Sequence, residues 1–309
     1  VTVTNGPCNI AVEYFPATFW LSNPPPDDFG FKSGKEITGG IAPDGTAMKG
    51  YEIRRDNFES DAKYDEAIQQ FANWYEYYRK RVHLTRAAMG RSFQDTSFLR
   101  LGFTTINERD NVEMKDLAVE SDRKNYFDWQ YDLLGDGGTP NTQAVKHIGE
   151  QFERGGDNAP IIESCQRNFG MLVTDGFYSD SESGVGNADG GAGSPLAGTV
   201  LADSMNNTIA DWAYSFYNTR FRNGDFDAGE VPVPSACGQA NPSLALDCNE
   251  DLHMNFFGVL LGAKGRIFGR DEAVMEDPFN NPPTWPTSIP SRDPSTIDDV
   301  WHAALNTRG

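Results

Sequence analysis

Two glycine-rich segments place oxygen donors where chemistry could occur. The first, Gly135–Thr142, contains Thr139, and the second, Met171–Gly176, ends in Asp175 and Gly176. Asp175 follows a predicted buried strand, at the carboxyl edge where open α/β sheets bind ligands. A hydroxyl and a carboxylate are hard donors of the kind that Mg²⁺ or Ca²⁺ takes. Each residue also has a structural interpretation, because Thr139 can cap the following helix and Asp175 can cap a turn.

A polar loop downstream holds a further group of oxygen donors. Residues 178–199 are rich in Gly, Ser, Asn and Asp, and a compact domain rarely keeps so long a loop without a use. The donors in and just after this loop are Asp180, Asn187, Asp189 and Asp203. Their density would suit Ca²⁺, but they lack the Asp-x-Asp-x-Asp-Gly order of an EF-hand, which favours a solvated loop. Asp136, close to Thr139, could support a cation ligand by hydrogen bonding, with a solvated loop acid as the simpler interpretation.

No sequence signature of catalysis is present. The histidines at positions 83, 147, 253 and 302 form no His-Glu-x-x-His pair, and no Gly-x-Ser-x-Gly elbow supplies a nucleophile. We interpret all four histidines as structural or surface residues. The chain is therefore predicted not to be an enzyme, and a metal-dependent hydrolase that uses Asp175 is the least favoured alternative.

The charge of the chain limits the classes of partner that it is expected to bind. The 309 residues carry 45 Asp and Glu against 26 Lys and Arg, for a net charge of −19. Such a chain repels phosphates, which argues against binding to nucleic acid or to an anionic membrane. The longest apolar run, Phe256–Ala263, is far shorter than the roughly 20 residues that span a bilayer, so no membrane span is predicted.

The four cysteines favour disulfides. They are even in number and lack C-x-x-C spacing, which argues against a zinc ribbon or a thioredoxin-like site. Cys237 and Cys248 flank a short loop and would close it locally, which leaves Cys8 with Cys165, although the sequence permits three connectivities. Disulfides indicate an exported protein. Because the chain starts at Val1 without an initiator methionine or a signal-like segment, we expect a mature fragment.

The first third of the chain is predicted to be irregular and then helical. Residues 1–60 are rich in Pro, Gly and Asp and are read as irregular structure with one hairpin around Ile10–Leu21. Apolar and aromatic residues then recur at helical spacing from Tyr64 to Phe93, which predicts one long amphipathic helix whose aromatic residues pack in the core. Phe98–Phe103 is predicted to be a buried strand.

The remaining two thirds alternate between helical and strand patterns. Helices are predicted at Asn111–Trp129, Thr142–Phe152, Ile209–Phe221 and Ile297–Leu305, and strands at Asn168–Thr174 and Met254–Gly262. This alternation is typical of βαβ units and of a parallel sheet covered on both faces. An α/β fold is therefore expected.

The segments Gly135–Thr142 and Met171–Gly176 resemble two of the three metal-binding loops of a von Willebrand factor type A domain. The resemblance implies a doubly wound, mostly parallel sheet with long irregular insertions. It also implies that Thr139 and Asp175, at the carboxyl ends of neighbouring strands, hold a divalent cation that an acidic partner completes. Residues 61–309 are the expected extent of this domain.

One part of the type A pattern has no match. The first metal loop of such a domain reads Asp-x-Ser-x-Ser, whereas Asp95–Ser97 lacks the final serine and follows a helix. The first strand and first metal loop are thus not expected in this chain. Either the polypeptide extends upstream and supplies them, or residues near Ile10–Tyr14 provide a substitute strand without metal ligands, because a central strand of a buried sheet has to be filled.

An ordered set of motifs resembles the PilY family of type IV pilus tip-associated adhesin and biogenesis proteins. The most specific is the aromatic and basic run Phe71–Arg81. The others are Tyr14–Phe19, Arg100–Phe103, Leu172–Gly176, Thr208–Asp211, His253–Met254 and Asp298–Asn306. Single matches are weak, but they follow the order of the family over nearly the whole chain.

The family resemblance implies a non-enzymatic adhesion or assembly module at the tip of a type IV pilus. Such a protein is extracellular and is exported through the periplasm or the outer membrane. Its expected partners are pilins or minor pilins and a host or abiotic surface ligand, with Mg²⁺ or Ca²⁺ as the expected cofactor. The alternative is a structural subunit of an extracellular filament that binds no metal.

Overall fold

The computed structural model describes residues 15–42 and 45–309. The chain divides into two compact units, Val1–Ala87 and Ala88–Gly309. The predicted hairpin lies partly outside the described residues, because Ile10–Tyr14 belongs to the undescribed segment.

The first unit contains a three-stranded antiparallel sheet in a region predicted to be mostly irregular. Its strands are β1 (Thr18–Leu21), β2 (Ile37–Ile41) and β3 (Ala47–Glu52), in the order β1-β3-β2. The Trp20 ring lies against Gly40 and Gly50, where a Cβ would come within 2.4 Å and 3.0 Å of it. These glycines therefore leave room for an aromatic ring, although they weaken the strand pattern in the sequence.

Two helices replace the single long helix that was predicted over Tyr64–Phe93. They are α1 (Asp61–Tyr77) and α2 (Arg81–Phe93), and Ser60 caps α1 by accepting a hydrogen bond from Lys63 N. The break lies at Tyr78–Lys80, where Arg79 and Lys80 are exposed and offer no buried face on which to continue the helix. The aromatic residues near the break, Trp74, Tyr75 and Tyr77, are about half exposed, so the core packing predicted for most of the aromatic residues of this helix does not extend to them.

After α2, the second unit contains a short antiparallel pair of strands instead of the predicted buried strand. Only β4 (Arg100–Leu101) is extended, and it pairs with β5 (Lys115–Asp116), while Phe98 is 85% exposed. Because β5 occupies part of the predicted charged helix, the observed helix α3 (Glu120–Asp132) starts later. Tyr126 on α3 is fully buried among aromatic rings.

The core of the second unit is a pair of parallel strands packed against helices. The strands are β6 (Asn168–Thr174) and β7 (Met254–Leu260). The helices are α4 (Asn141–Phe152), α5 (Ile209–Asn218), the short α6 (Glu272–Glu276) and α7 (Ser295–Asn306). Strand β6 matches its predicted bounds, and α4, α5, β7 and α7 match theirs to within three residues.

The two faces of this parallel pair differ in burial. One face carries Leu172 and Phe256, which are buried in the core that α4, α5 and α7 help to form. On the other face Phe169 and Met171 are each 53% exposed, and the Phe169 ring packs against Phe257. The expected coverage of both faces is therefore not seen among the described residues. The described fold is mixed α/β, with a parallel sheet of two strands.

Candidate cation-binding sites

The first candidate site lies at the carboxyl end of β6, where that strand meets the start of α4. The buried Asn141 side chain donates through Nδ2 to Thr174 Oγ1 (3.3 Å) and to the carbonyl oxygen of Gly176 (3.4 Å). This bridge ties together the two segments that carry Thr139 and Asp175, and both residues are half-buried. We call Thr139, Asp175 and their immediate backbone the strand-end site.

The backbone of the strand-end site depends on one glycine. Gly176 follows Asp175 with φ of +104°, a conformation that L side chains rarely adopt. A Cβ at this position would lie 2.0 Å from Cδ1 of Ile297 on α7. The turn after Asp175 can therefore be made only by glycine while α7 stays in place.

Asp180 is engaged by the helix that starts beside this site. Its carboxylate accepts hydrogen bonds from the backbone N–H groups of Thr142 (3.3 Å) and Gln143 (2.9 Å). A carboxylate at a helix N-terminus satisfies free N–H groups and interacts favourably with the helix dipole. Asp180 thus performs the capping that the sequence offered as an alternative role for Thr139, because the N-cap residue of α4 is Pro140, whose side chain makes no cap hydrogen bond. Asp136 is exposed in the same loop.

The predicted donors at the strand end would form an incomplete ligand set. Thr139 and Asp175 would contribute a hydroxyl and a carboxylate, whereas a bound Ca²⁺ takes six to eight oxygen ligands. Within residues 15–42 and 45–309, the His, Cys, Asp and Glu side chains grouped closely enough to hold a metal do not include Asp175. A cation here would need ligands from water, from a partner or from other parts of the polypeptide.

The second candidate site is formed by Asp189, Asp203 and His302, which we call the Asp189 cluster. One carboxylate oxygen from each aspartate and one ring nitrogen of the histidine lie within 4.8 Å of one another. The three side chains are only 0%, 5% and 2% exposed, respectively. A loop of irregular structure thus meets helix α7 in the interior of the second unit.

Local hydrogen bonds fold the loop so that its two aspartates meet. Asn187 accepts from Gly190 N through Oδ1 (2.5 Å) and donates through Nδ2 to the carbonyl oxygen of Asp203 (3.0 Å). The backbone N–H of Asp203 points to Asp189 Oδ1 at 3.4 Å. The amide of Asn187 therefore positions the loop, and both of its polar atoms have protein partners.

Helix α7 places His302 between the two aspartates. Its Nε2 lies 2.8 Å from the carbonyl oxygen of Leu201 and 3.4 Å from Asp189 Oδ2, and its Nδ1 lies 3.6 Å from Asp203 Oδ2. The Trp285 indole stacks on the imidazole with ring centroids 3.8 Å apart. The polar contacts at the two nitrogens and the stacking on the ring face together fix the orientation of the imidazole.

Burial makes the charged forms of this cluster costly. It raises the pKa of the Asp189 carboxyl to about 6, with the nearby Asp211 carboxylate acting in the same direction. Burial also raises the pKa of Asp203 to about 6, although His302 opposes the shift. It lowers the pKa of His302. A cation in this cluster would relieve the repulsion between the carboxylates.

Sequence reasoning identified two members of the cluster and missed the third. Asp189 and Asp203 belong to the group of donors noted in the polar loop, whereas His302 was interpreted as structural. The contact joins residues far apart in the chain, since Leu201 and its partner His302 are separated by 101 positions. No local sequence motif indicates this contact, because it forms only when α7 packs on α5.

A disulfide joins Cys237 to Cys248, the pair that flanks a short loop. Cys165 is exposed, and its expected partner Cys8 lies outside the described residues. No helix of the described residues combines the length and apolar character that crossing a membrane requires.

Comparison with known proteins relates the chain to one group. It is 28% identical over 285 residues to the type IV pilus biogenesis factor PilY1 of Pseudomonas aeruginosa strain PAK. The aligned region covers 78% of the chain. It is 28% identical over 286 residues to PilY1 of strain PAO1 and 25% identical over 284 residues to PilY1 of strain UCBPP-PA14. These matches confirm the resemblance to the PilY family. No protein-family model matches the chain, and no solved structure matches it significantly.

The match to PilY1 is extensive in this chain and partial in its relatives. The aligned region covers 24% of PilY1 from strain PAK and 23% of PilY1 from strain UCBPP-PA14. The chain thus spans about a quarter of the length of the PilY1 proteins that it matches. The strand-end site and the Asp189 cluster both belong to the second compact unit of this PilY-like chain.

Proposed function

We propose that this chain is a non-enzymatic adhesion and assembly module of a type IV pilus, exported and displayed at the pilus tip. The observation that carries the proposal is the match over 78% of the chain to a type IV pilus biogenesis factor. The disulfide between Cys237 and Cys248 is consistent with an oxidising, extracytoplasmic location. The partners proposed are pilins or minor pilins and a surface ligand, either on a host or abiotic.

Ligand binding is proposed to occur at the strand-end site. Thr139 and Asp175 would contribute their oxygens to Mg²⁺ or Ca²⁺, and an acidic group of the ligand would complete the coordination. Three features support this role: the incomplete ligand set leaves positions for a partner, the two residues are half-buried, and Asn141 and Gly176 fix the backbone. A preorganised edge loses less entropy when a ligand binds.

The test is genetic complementation in the organism that encodes the chain. Deletion of the gene is expected to reduce piliation, twitching motility and surface attachment, and the full-length wild-type gene is expected to restore all three. A gene carrying Thr139→Val with Asp175→Asn is expected to restore piliation and to leave attachment low. Asp136→Asn, an exposed acid in the same loop, is the matched control and should restore every readout.

The outcomes separate the proposed role from its alternatives. If the deletion leaves piliation, twitching and attachment unchanged, the pilus role is wrong. If the double variant restores attachment fully, and attachment is also insensitive to chelation of divalent cations, the chain acts as a structural subunit without a metal-dependent ligand site. Reduced attachment by the double variant alone, reproduced by chelator in the wild type, supports the complete proposal.

A further inference from the structure

The Asp189 cluster differs from the strand-end site in the chemistry of its donors. It offers two carboxylate oxygens and one imidazole nitrogen, a mixed set, whereas Mg²⁺ and Ca²⁺ are bound by oxygen ligands. Imidazole with carboxylates suits Zn²⁺ and other first-row transition metals. Three protein ligands with a water in the remaining position form a common zinc arrangement.

The orientation of His302 leaves a lone pair where a metal ligand is needed. Its Nε2–H donates to the carbonyl oxygen of Leu201 at 2.8 Å, so in the neutral ring Nδ1 carries no proton. That Nδ1 faces Asp203 Oδ2 at 3.6 Å, so two hydrogen-bond acceptors confront each other in a buried place. Two ligand atoms bound tetrahedrally at about 2.0 Å would be about 3.3 Å apart, which is close to this separation. A backbone carbonyl that holds the second ring nitrogen is a usual feature around metal-binding histidines.

A second observation concerns Asn306, one turn further along α7. Its side chain is fully buried and donates through Nδ2 to Asp189 Oδ2 at 2.7 Å. Its Oδ1 is buried and accepts no hydrogen bond from the described residues. An unsatisfied buried acceptor costs about 1–3 kcal/mol, so its position beside the carboxylates indicates a missing positive or hydrogen-bonding group.

Charge balance indicates the same missing group. Within residues 15–42 and 45–309, His302 is the only basic side chain in contact with the carboxylate of Asp189 or Asp203, and its neutral ring does not balance their charge. A third carboxylate, Asp211, is also fully buried nearby, although its oxygens accept from Ala188 N and from Thr208. Buried carboxylates are retained when they are paired or when they coordinate a metal.

The cluster lies beside a cleft in the surface of the second unit. A surface cleft of about 340 Å³ is lined by Asp203, Trp285, Val200 and neighbouring residues. Trp285 covers the face of His302, and Asp203 belongs to both the cleft and the cluster. Asp203 therefore links the buried cluster to the lining of the cleft.

We propose that Asp189, Asp203 and His302 bind one divalent transition-metal ion of the zinc class, with Asn306 in support. The ion would link the loop at 178–208 to α7 and thereby act as a structural staple for the second unit. This site is separate from the strand-end site and does not depend on the pilus role, because it is defined by the contacts within the chain alone.

The test uses the purified chain after treatment with chelator. Titration with Zn²⁺ is expected to show one site and to raise the midpoint of thermal unfolding, whereas Ca²⁺ and Mg²⁺ at the same concentration should leave the midpoint unchanged. His302→Gln is expected to weaken Zn²⁺ binding by about 100-fold or more, as is Asp189→Asn. The matched control is His83→Gln, a half-buried imidazole in the first unit. All proteins carry Cys8→Ser together with Cys165→Ser, because either thiol could bind Zn²⁺ itself and removing one alone would leave its expected disulfide partner free.

A measurement on protein that keeps all the proposed ligands tests the site even if the ligand variants do not fold. Co²⁺ bound by the proposed ligands should give visible absorption bands that Zn²⁺ abolishes at one equivalent, and the NMR signals of one histidine ring should shift. The proposal is overturned if protein with Cys8→Ser and Cys165→Ser alone shows neither Zn²⁺ binding nor these bands. It is also overturned if folded His302→Gln binds Zn²⁺ as tightly as His83→Gln does. Loss of binding in Thr139→Val with Asp175→Asn alone would assign the ion to the strand-end site and contradict it equally.

Discussion

At the strand-end site the backbone is fixed and the functional side chains are half-buried, whereas in the Asp189 cluster the side chains themselves hold the structure. Asn141 and Gly176 set the geometry of the backbone around Asp175. In the cluster, by contrast, His302 and Asn306 contact Asp189 directly in the interior. Both regions contain oxygen donors, but Thr139 and Asp175 are half-exposed, whereas the side chains of the Asp189 cluster are buried.

This difference predicts where each region is sensitive to mutation. Near the strand end, stability should depend on Gly176 and on Asn141, which bridges α4 to β6. Replacing the side chain of Thr139 or Asp175 should change stability little. In the cluster, every side chain is buried, so loss of one leaves an unsatisfied partner. A ligand-binding role needs the first arrangement, and a structural staple needs the second.

The largest effect is expected for Gly176→Ala. The backbone at φ of +104° is unfavourable for alanine, and the new Cβ would collide with Ile297 Cδ1 at 2.0 Å. Together these should lower the free energy of unfolding by about 3 kcal/mol, measured by chemical denaturation. Gly138→Ala is the matched control, because its Cβ would meet no atom within 4 Å, and it should cost under about 1 kcal/mol. Equal costs would show that the turn after Asp175 is not rigid.

Buried acids next to the cluster should make stability depend on pH. Burial raises the pKa of Asp299 to about 7 from 3.8, although its carboxylate accepts from Tyr178 OH (2.5 Å) and from the N–H groups of Ile209 and Ala210. The folded state therefore holds a proton that the unfolded state releases between pH 3.8 and about 7. Over this range stability should fall as pH rises, with a slope of up to about 1.4 kcal/mol per pH unit from this group.

The measurement is unfolding of the chelator-treated chain in denaturant from pH 4.5 to pH 7.5. Asp189 and Asp203, with pKa values raised to about 6, should contribute slopes of the same sign. Asp299→Asn should remove part of the slope and leave the remainder. If stability instead rises with pH through this range, the buried carboxylates are compensated in the folded state, as a bound cation would do.

The elements that could be predicted from sequence are those whose pattern is local. Strand β6 has its predicted bounds, and α4 differs by one residue at its start, because apolar spacing and the flanking polar turns mark them clearly. The segments that carry Thr139 and Asp175 could be placed next to each other for the same reason. Parallel strands and their helices bring such loops to one edge.

The parts that could not be predicted depend on tertiary contacts. The break between α1 and α2 was missed because aromatic residues continue the helical spacing into a segment where they are half exposed. The sheet β1-β3-β2 was missed because its strands contain glycines that make room for Trp20. His302 was missed because its partners lie in an irregular loop about a hundred positions away.

A moderate effect is expected for Asp180→Ala. The carboxylate caps α4 through Thr142 N and Gln143 N, so its removal leaves two N–H groups without these acceptors. The expected loss is about 1 kcal/mol in the free energy of unfolding. Asp136→Ala removes an exposed acid from the adjoining loop and should change stability by less than about 0.5 kcal/mol. A cost for Asp180→Ala as small as that of the control would argue that the capping geometry contributes nothing, and would leave Asp180 available as a ligand.

The smallest effect on stability is expected for a matched pair at Thr139. Thr139→Val removes the hydroxyl and keeps the shape, while Thr139→Ser keeps the hydroxyl and removes a methyl group. Because Asp180 caps α4 through Thr142 N and Gln143 N, both variants should stay within about 0.5 kcal/mol of the wild type. If the hydroxyl is a cation ligand, only Thr139→Val should lose Mg²⁺- or Ca²⁺-dependent attachment in the complementation assay. Thr139→Val could instead lower the free energy of unfolding by more than about 1 kcal/mol and leave attachment normal. That result would show that Thr139 is a structural residue, with Asp175 as the only donor of the pair.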